Sequence, residues 1–451
     1  MNRLLVACAL VVRVASTAAQ SQPVAAIVPV VDHHQHLLSP ELAAAWSPPV
    51  PAPIELPPEL QRRFGAGAPR YNDSAAIADF YTENALVSFS QGALFLGTPT
   101  NWIRGRGRVA GFLSRAFRNQ YSLTPVAYGV NDSSGFIVGY FSGIPRHYDV
   151  HLSLRKDSDG AWRIAAQSIT YAPRPTLQAV TAEDLIALLD TAGIRRALVL
   201  SVAYTWGSPA LRGNDEYAQV RRENDWTGQQ VTKYSDRLRA FCSFNPLRDY
   251  ALAELDRCAK DPNLHYGLKL HFANSDVDLR NPAHVEQLRQ VFRAANAHRM
   301  PVVIHLWTGD EQVGHPYGRA EAQIFLNDIL PAAPDIPIQI AHLAGSGPRL
   351  DPGSKDALAM FADAVAAHNP RTRNLYFDVA TNVTMQISAE DARFIAAHLR
   401  QIGLQRILYG SDLAIVGNLP PRQGWGVFRA MIPLTEAEFR TIAENVAPYM
   451  R

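Results

Sequence analysis

The sequence predicts an α/β protein: a (β/α)8 TIM barrel carrying an inserted α+β unit. Three observations predict it. Eight short apolar stretches recur along the chain, and from Thr181 onward they alternate with helical stretches, the rhythm of a parallel barrel. After the first of the eight, roughly residues 65–173 change texture to alternating runs that suit antiparallel strands. Finally, polar residues close the apolar stretches: His34 and His36, Lys269 and His271, His305, His342 and Asp412. The C-terminal strand ends form the catalytic face of such barrels.

The elements follow in chain order. Met1 to Gln20 has a basic start (Arg3), an apolar run broken by Arg13, and the small residues Thr17-Ala18-Ala19. It resembles a secretory signal peptide cut after Ala19, which predicts export to the periplasm or medium. Leu5-Val6-Ala7-Cys8 looks like a lipoprotein box, but the apolar run before it is too short. Ala25 to Val31 reads as a buried strand, leading into Asp32-His33-His34-Gln35-His36. Alternate side chains of a strand share a face. His34 and His36 therefore point together, with Asp32 behind them and His33 opposed. Two such imidazoles can grip a metal ion or form a solvated cluster. The barrel is expected to comprise residues 25–60 and 175–451, with proline-rich linker at Ser47 to Pro53 and Pro57-Pro58.

Within the insertion, Ser74 to Thr82 reads as a helix, as does Val109 to Phe117. Ala85–Phe89, Gly135–Phe141, Tyr148–Leu154 and Trp162–Ser168 read as strands. His147 and His151 are ordinary strand histidines, and Arg104 to Arg108 is a solvated basic loop. From Thr181 a capping box opens a helix to Ala192. The strands then run Ala197–Val202, Leu238–Phe244, Gly267–Phe272, Val302–Leu306, Ile336–His342, Leu375–Val379 and Arg406–Asp412. Helices are expected at Tyr250–Ala259, Val285–His298, Ala320–Leu330 and from Thr435.

Composition sets outer limits. The 451 residues are 47% hydrophobic and 19% charged, ample for two or more domains. A net charge of +2 gives no reason to expect nucleic acid. No stretch beyond the leader is long and apolar enough to span a membrane. Cys242 and Cys258 read as two buried free thiols, although a strand–helix disulfide is open to them.

On the motifs Asp32-His33-His34-Gln35-His36, Gly267-Leu268-Lys269-Leu270-His271, Val303-Ile304-His305, Ala341-His342-Leu343-Ala344-Gly345 and Leu408-Tyr409-Gly410-Ser411-Asp412, the chain resembles the amidohydrolase superfamily. It is most similar to the amidohydrolase-2 branch that includes aminocarboxymuconate-semialdehyde decarboxylase. The resemblance implies that His34, His36, His305 and Asp412 hold one divalent metal, most often zinc, and that His342 is the acid–base or carbonyl-polarising residue. In binuclear relatives a fourth-strand lysine is carboxylated and bridges two metals; Lys269 occupies that place here, although a substrate-binding or structural lysine fits the branch better. Trp307 shares a face with His305 and, with Lys269 and His271, is a candidate wall for a small-molecule substrate. The insertion resembles the nuclear-transport-factor-2-like (SnoaL-like) domain on Phe80-Tyr81-Thr82-Glu83-Asn84-Ala85, Gly107-Arg108-Val109-Ala110 and Asp159-Gly160-Ala161-Trp162-Arg163-Ile164. Such a domain could roof the pocket or pair two chains into a homodimer.

The leading expectation is a metal-dependent hydrolase of an amide, ester or lactone, with Asp412 taking a proton from water and His342 stabilising the attacked oxygen. The alternative within the branch is a non-oxidative decarboxylase, which would want arginines such as Arg319 or Arg422 at the mouth. The alternative of another class is a small-ligand-binding protein with an inert barrel. The substrate and the metal's identity and count are not legible in the sequence.

Overall fold

The computed structural model describes residues 27–47, 51–65, 74–90, 101–116, 122–142, 147–171, 177–211, 215–309, 314–347, 350–413 and 418–451. The expected leader, Met1 to Ala19, lies outside the described residues. The chain divides into two compact units, one running up to Ser39 and resuming at Ala179, the other Pro40–Gln178. The first strand, β1 (Val31–Gln35), is buried along its whole length and begins later than the apolar run suggests.

The inserted unit holds α1 (Pro40–Trp46), α2 (Pro58–Phe64), α3 (Ser74–Asp79), β2 (Tyr81–Ser90), β3 (Asn101–Arg104), α4 (Arg106–Ala116), β4 (Ser122–Val130), β5 (Ser134–Ser142), β6 (His147–Lys156) and β7 (Trp162–Tyr171). Its strands form a six-stranded sheet in the order β3-β2-β7-β6-β5-β4, with β2 and β7 parallel and the other pairs antiparallel. The proline-rich segment goes with this unit: Leu56, Leu60 and Phe64 join Ile77, Val87, Val109, Ile137 and Val150 in its core. The α3 helix ends at Asp79, before the expected Thr82, because Tyr81, Ala85, Val87 and Phe89 bury their side chains from an extended strand. His151 is exposed on β6, as an ordinary strand histidine should be.

The second unit resumes with α5 (Ala182–Ala192), opened by the Thr181–Asp184 capping box and ended by Gly193 at φ 73°. Next come β8 (Arg196–Leu200), α6 (Glu216–Thr232), β9 (Leu238–Ser243), α7 (Ala251–Lys260), β10 (Leu268–His271), α8 (Pro282–Ala297), β11 (Val302–His305), α9 (Arg319–Ile324) and β12 (Ile338–Ile340). The chain finishes with α10 (Pro352–Ala366), β13 (Leu375–Asp378), α11 (Ala389–Ile402), β14 (Ile407–Leu408), α12 (Pro421–Met431) and α13 (Glu436–Glu444). The eight strands are parallel neighbours in chain order, β1-β8-β9-β10-β11-β12-β13-β14. Beyond the two-residue β14, His33 N donates to Tyr409 O (2.8 Å) and Asp412 N donates to His34 O (2.7 Å), which draws the ring together at β1. Gly410 makes that approach feasible, since a Cβ there would lie 2.6 Å from the Cβ of His34.

Three features of this unit matter below. Cys242 of β9 and Cys258 of α7, expected as free thiols, are joined in a disulfide, because the helix packs its buried face on the sheet with the two Cα atoms 6.2 Å apart. Residues Ala447, Tyr449 and Met450 pack with Val31, Leu198, Leu200, Phe241, Val303 and Leu408. Arg196 and Arg239, near the starts of β8 and β9, donate to the carbonyls of Met450 and Tyr449, so this final segment floors the barrel at the N-terminal ends of its strands. Finally, α13 opens with a Thr435–Glu438 capping box, and Arg400 of α11 grips the same carboxylate with two hydrogen bonds of 2.5 and 2.8 Å.

Glu438 yields a prediction about acid stability. The Arg400 hydrogen bonds, then the Thr435 backbone N–H, pull its pKa from 4.5 down to about 2. A carboxylate with a lowered folded-state pKa stabilises the fold fully above its unfolded value and loses that contribution as pH falls through the folded one. Wild-type stability should therefore drop between pH 4.5 and about 2, and Glu438→Gln should remove part of that drop. Urea midpoints measured across this range check it; identical acid limbs in the two proteins would contradict it.

Candidate metal centre

The site is built from strand ends, beginning with tautomers. His34 Nδ1 lies 3.0 Å from Asp378 Oδ2, and His36 Nδ1 lies 2.7 Å from the carbonyl of Leu200 at the end of β8. Both partners accept, so both Nδ1 atoms carry the proton and both Nε2 atoms present a lone pair. Asp412 Oδ1 lies 3.5 Å from His34 Nε2 and 3.2 Å from His36 Nε2. Three acceptors thus face one another, fully buried or nearly so, with their ligand atoms all within 4.8 Å. Asp412 Oδ1 has no hydrogen-bond partner, and neither does His305 Nε2. Buried polar atoms without partners are unfavourable by themselves, and for the Asp412 carboxylate oxygen, which can only accept, the missing partner suits a cation.

His342 sits at the meeting point of the rings, its centroid 4.8 Å from His34 and 4.7 Å from His305. Its Nδ1 contacts Ala380 O at 2.9 Å, which leaves the Nε2 lone pair 4.0 Å from Asp412 Oδ2. His342 and Asp412 both adopt φ 54°, a left-handed conformation uncommon outside glycine. Neighbours hold them there. Asp378 Oδ1 accepts from His342 N (2.8 Å), Asn382 Nδ2 donates to His342 O (2.7 Å), and Asn418 Nδ2 donates to Asp412 Oδ2 (3.2 Å).

The remaining sequence candidates are placed as follows. His305 is the register partner of His271, and their rings stack at 4.0 Å. His305 reaches the centre through His342 and is not in the tight group formed by His34, His36 and Asp412. His271 lies between His305 and Tyr204, whose ring is 4.9 Å away. Lys269, expected as a substrate-binding or structural lysine, is only 1% exposed, and its Nζ donates to His34 Nε2 at 3.2 Å. Trp307 stands 6.3 Å from His305, and its indole N–H has no partner. Arg319 pairs with Asp363 of α10 at 3.1 Å, and Arg422 is exposed on α12.

Charge states follow burial. Burial, then the Lys269 ammonium, push the His34 pKa down to about 3. Burial likewise holds His271 and His305 well below the usual histidine value. Burial brings Lys269 down to about 8, partly offset by Asp412 and Asp378. Burial alone would raise the Asp412 carboxylate; the imidazoles of His34, His36 and His342 outweigh it, and the group stays ionised. His34, His271 and His305 are therefore neutral, beside the Asp412 anion and the Lys269 ammonium.

Sequence reasoning missed Asp378, Gln339, Asn382 and Asn418. Asp378 carried a legible signal, a charged residue closing the apolar strand Leu375-Tyr376-Phe377. Gln339 carried a weaker one, a lone amide between Ile338 and Ile340. The two asparagines lie in loops whose course no periodicity reveals.

Residues 178–447 match the family model described as amidohydrolase. No curated protein matches the chain. Among solved structures, the chain is similar to 5-carboxyvanillate decarboxylase from Sphingomonas paucimobilis, with 18% identity and a TM-score of 0.40 over 57% of this chain and 79% of that one. It is also similar to 5-carboxyvanillate decarboxylase from Novosphingobium aromaticivorans, solved with manganese, at 14% identity and a TM-score of 0.38 over 58% and 77%. An NTF-2-like protein of unknown function from Silicibacter pomeroyi matches at 13% identity and a TM-score of 0.19 over 22% of this chain and 81% of that one.

Proposed function

The chain belongs to the amidohydrolase family, and from that premise we propose that it is a metal-dependent hydrolase of an amide, ester or lactone bond. One observation carries the reading: His34 Nε2, which accepts from Lys269 Nζ at 3.2 Å, the His36 Nε2 lone pair and the unpartnered Asp412 Oδ1 converge, and none of the three brings a proton of its own. The donor set suits a divalent ion of the zinc type, with His34, His36 and Asp412 as ligands and His305 completing the set. When bound, the ion supplies Lewis acidity, making water a competent nucleophile near neutral pH.

The chain's own residues supply the rest. Asp412 is ionised and buried, so it can accept a proton inside the site. His342 Nε2, its lone pair 4.0 Å from Asp412 Oδ2, is placed to receive that proton, and once protonated it can donate to a substrate carbonyl and polarise it. Lys269 holds a positive charge against His34 from below, where it balances the Asp412 and Asp378 carboxylates. His271 and Trp307 are the proposed walls for a small-molecule substrate, the Trp307 N–H being free to donate to it. Arg319 is engaged with Asp363 on the outer helices.

Metal removal tests the reading. Protein dialysed against a chelator is expected to lose activity and to regain it with zinc or manganese. Mass spectrometry should find about one ion per chain, the complement of a single three- or four-ligand site. Lactones, esters, amides and aromatic carboxylates are then screened: hydrolysis without carbon dioxide release supports the proposal, and carbon dioxide release replaces it with the lyase. Protein that neither holds nor gains an ion returns the barrel to a binding role. We further propose that the enzyme is exported; the Cys242–Cys258 disulfide supports an oxidising compartment, and fractionation of expressing cells tests it.

A further inference from the structure

We propose that Tyr449 and Gln339 are positioning residues for the metal centre: a buried hydrogen-bond relay from the barrel floor, Tyr449 to Gln339 to Asp378, fixes the tautomer and orientation of His34. The inference rests on the metal reading above. It starts from an anomaly. Gln339 is fully buried in the middle of β12, between two isoleucines, where an amide is costly unless both its ends are satisfied. Both ends are satisfied. The Tyr449 hydroxyl donates to Gln339 Oε1. Gln339 Nε2 donates to Asp378 Oδ2 at 2.5 Å and to the His33 carbonyl at 3.3 Å. The same Asp378 oxygen accepts from His34 Nδ1 at 3.0 Å.

The direction of the relay is set by chemistry. An amide has one accepting and one donating end. With a hydroxyl donor at Oε1, only the NH2 end faces Asp378. Turned over, the amide would press its carbonyl against a carboxylate. Asp378, which can only accept, sets the amide orientation, the Tyr449 hydroxyl donates to the Oε1 so presented and pins the amide there, the amide helps hold Asp378 Oδ2 in place, and Asp378 keeps the proton on His34 Nδ1. That leaves Nε2 as the ligand atom, the role an outer-sphere carboxylate plays for metal-bound histidines. Burial keeps the Tyr449 hydroxyl protonated, so it remains a donor throughout the physiological range. The floor is anchored independently of this hydroxyl. The Tyr449 ring packs edge-on against Phe241 at 5.3 Å, and Ala447 N donates to His33 Nε2 at 3.2 Å.

The test is a double-mutant cycle on the full chain, read as zinc affinity by chelator competition. Tyr449→Phe keeps the ring and its packing, and Gln339→Leu removes the amide. Outer-sphere partners typically change metal affinity by 10- to 100-fold; Tyr449 acts one step further out, so Tyr449→Phe should weaken zinc binding by about 3- to 10-fold and Gln339→Leu by about 10-fold or more. A serial relay makes the double variant no worse than Gln339→Leu alone. Met450→Ala, on the same floor but outside the relay, should lower the melting temperature without changing zinc affinity. Unchanged affinity in Tyr449→Phe, or equal losses in Tyr449→Phe and Met450→Ala, overturns the inference while leaving the metal reading intact. A wild-type protein that takes up no ion overturns the metal reading instead. The relay is then judged in the metal-free protein by the downfield imidazole N–H resonance of His34, which should be present in wild type and displaced in Tyr449→Phe; an unmoved resonance refutes it.

Discussion

Asp412→Asn is expected to lower turnover by roughly 10³-fold, within the span that a lost acid–base group produces, while leaving the metal-free protein as stable as wild type or more so. The two effects share a cause. In the wild-type centre, Asp412 Oδ1 faces His34 Nε2 at 3.5 Å and His36 Nε2 at 3.2 Å, and neither gives it a hydrogen; Lys269 Nζ donates to His34 Nε2, which leaves the contact with the His36 lone pair unrelieved. An asparagine NH2 in that place donates to that lone pair and relieves the repulsion, and its carbonyl can still accept from Asn418. The substitution thus satisfies the apo site by removing the charge that a cation needs. Turnover, zinc content and thermal melts of the metal-free protein measured together check this. A variant retaining activity within tenfold of wild type would remove Asp412 from the chemistry; a marked loss of apo stability would mean that the acceptor cluster is not the strain described. Active sites commonly trade stability for function in this way.

Asp378→Asn should be nearly as damaging, for the opposite reason. All four of its close partners are donors: His34 Nδ1 and Gln339 Nε2 on one oxygen, His342 N and Ala380 N on the other. Whichever way an asparagine amide turns, its NH2 meets two donors. Each buried donor left unsatisfied costs on the order of 1–3 kcal/mol. The fold should therefore lose stability and zinc affinity together, the latter by about 10- to 100-fold. Urea unfolding and chelator competition give the two readings. If zinc affinity survives while stability falls, Asp378 is a structural residue only.

The barrel was legible because its strands are short apolar runs closed by polar residues, as in Val302-Val303-Ile304-His305. The convergence of His34, His36 and Asp412 was legible from the same strand-end signal. Helices were less so. The α6 helix carries Arg221, Arg222, Glu223, Asn224 and Asp225 in succession, and its buried face includes Glu223, Asn224, Thr227 and Gly228, so no apolar stripe announces it. The α11 helix has a regular apolar face and a Ser388 cap, both visible in the sequence and both passed over. Position across the barrel was the harder problem. His305 and His271 both end strands, yet only the register that places them side by side shows that His305 meets the centre through His342. Lys269 shares a strand face with His271, but depth is not a property of parity, and it lies beneath His34.

One further feature concerns the doorway through which the inserted unit leaves the barrel unit. Leu38 and Val180 form an isolated antiparallel bridge, with reciprocal backbone hydrogen bonds of 3.1 and 2.9 Å. The outgoing and returning chains are therefore stapled side by side at the threshold. Whatever is spliced between Ser39 and Ala179, a few residues or a whole domain, adds chain-closure entropy only as the logarithm of its length. The barrel unit can thus tolerate a change in the length of that insertion at little entropic cost.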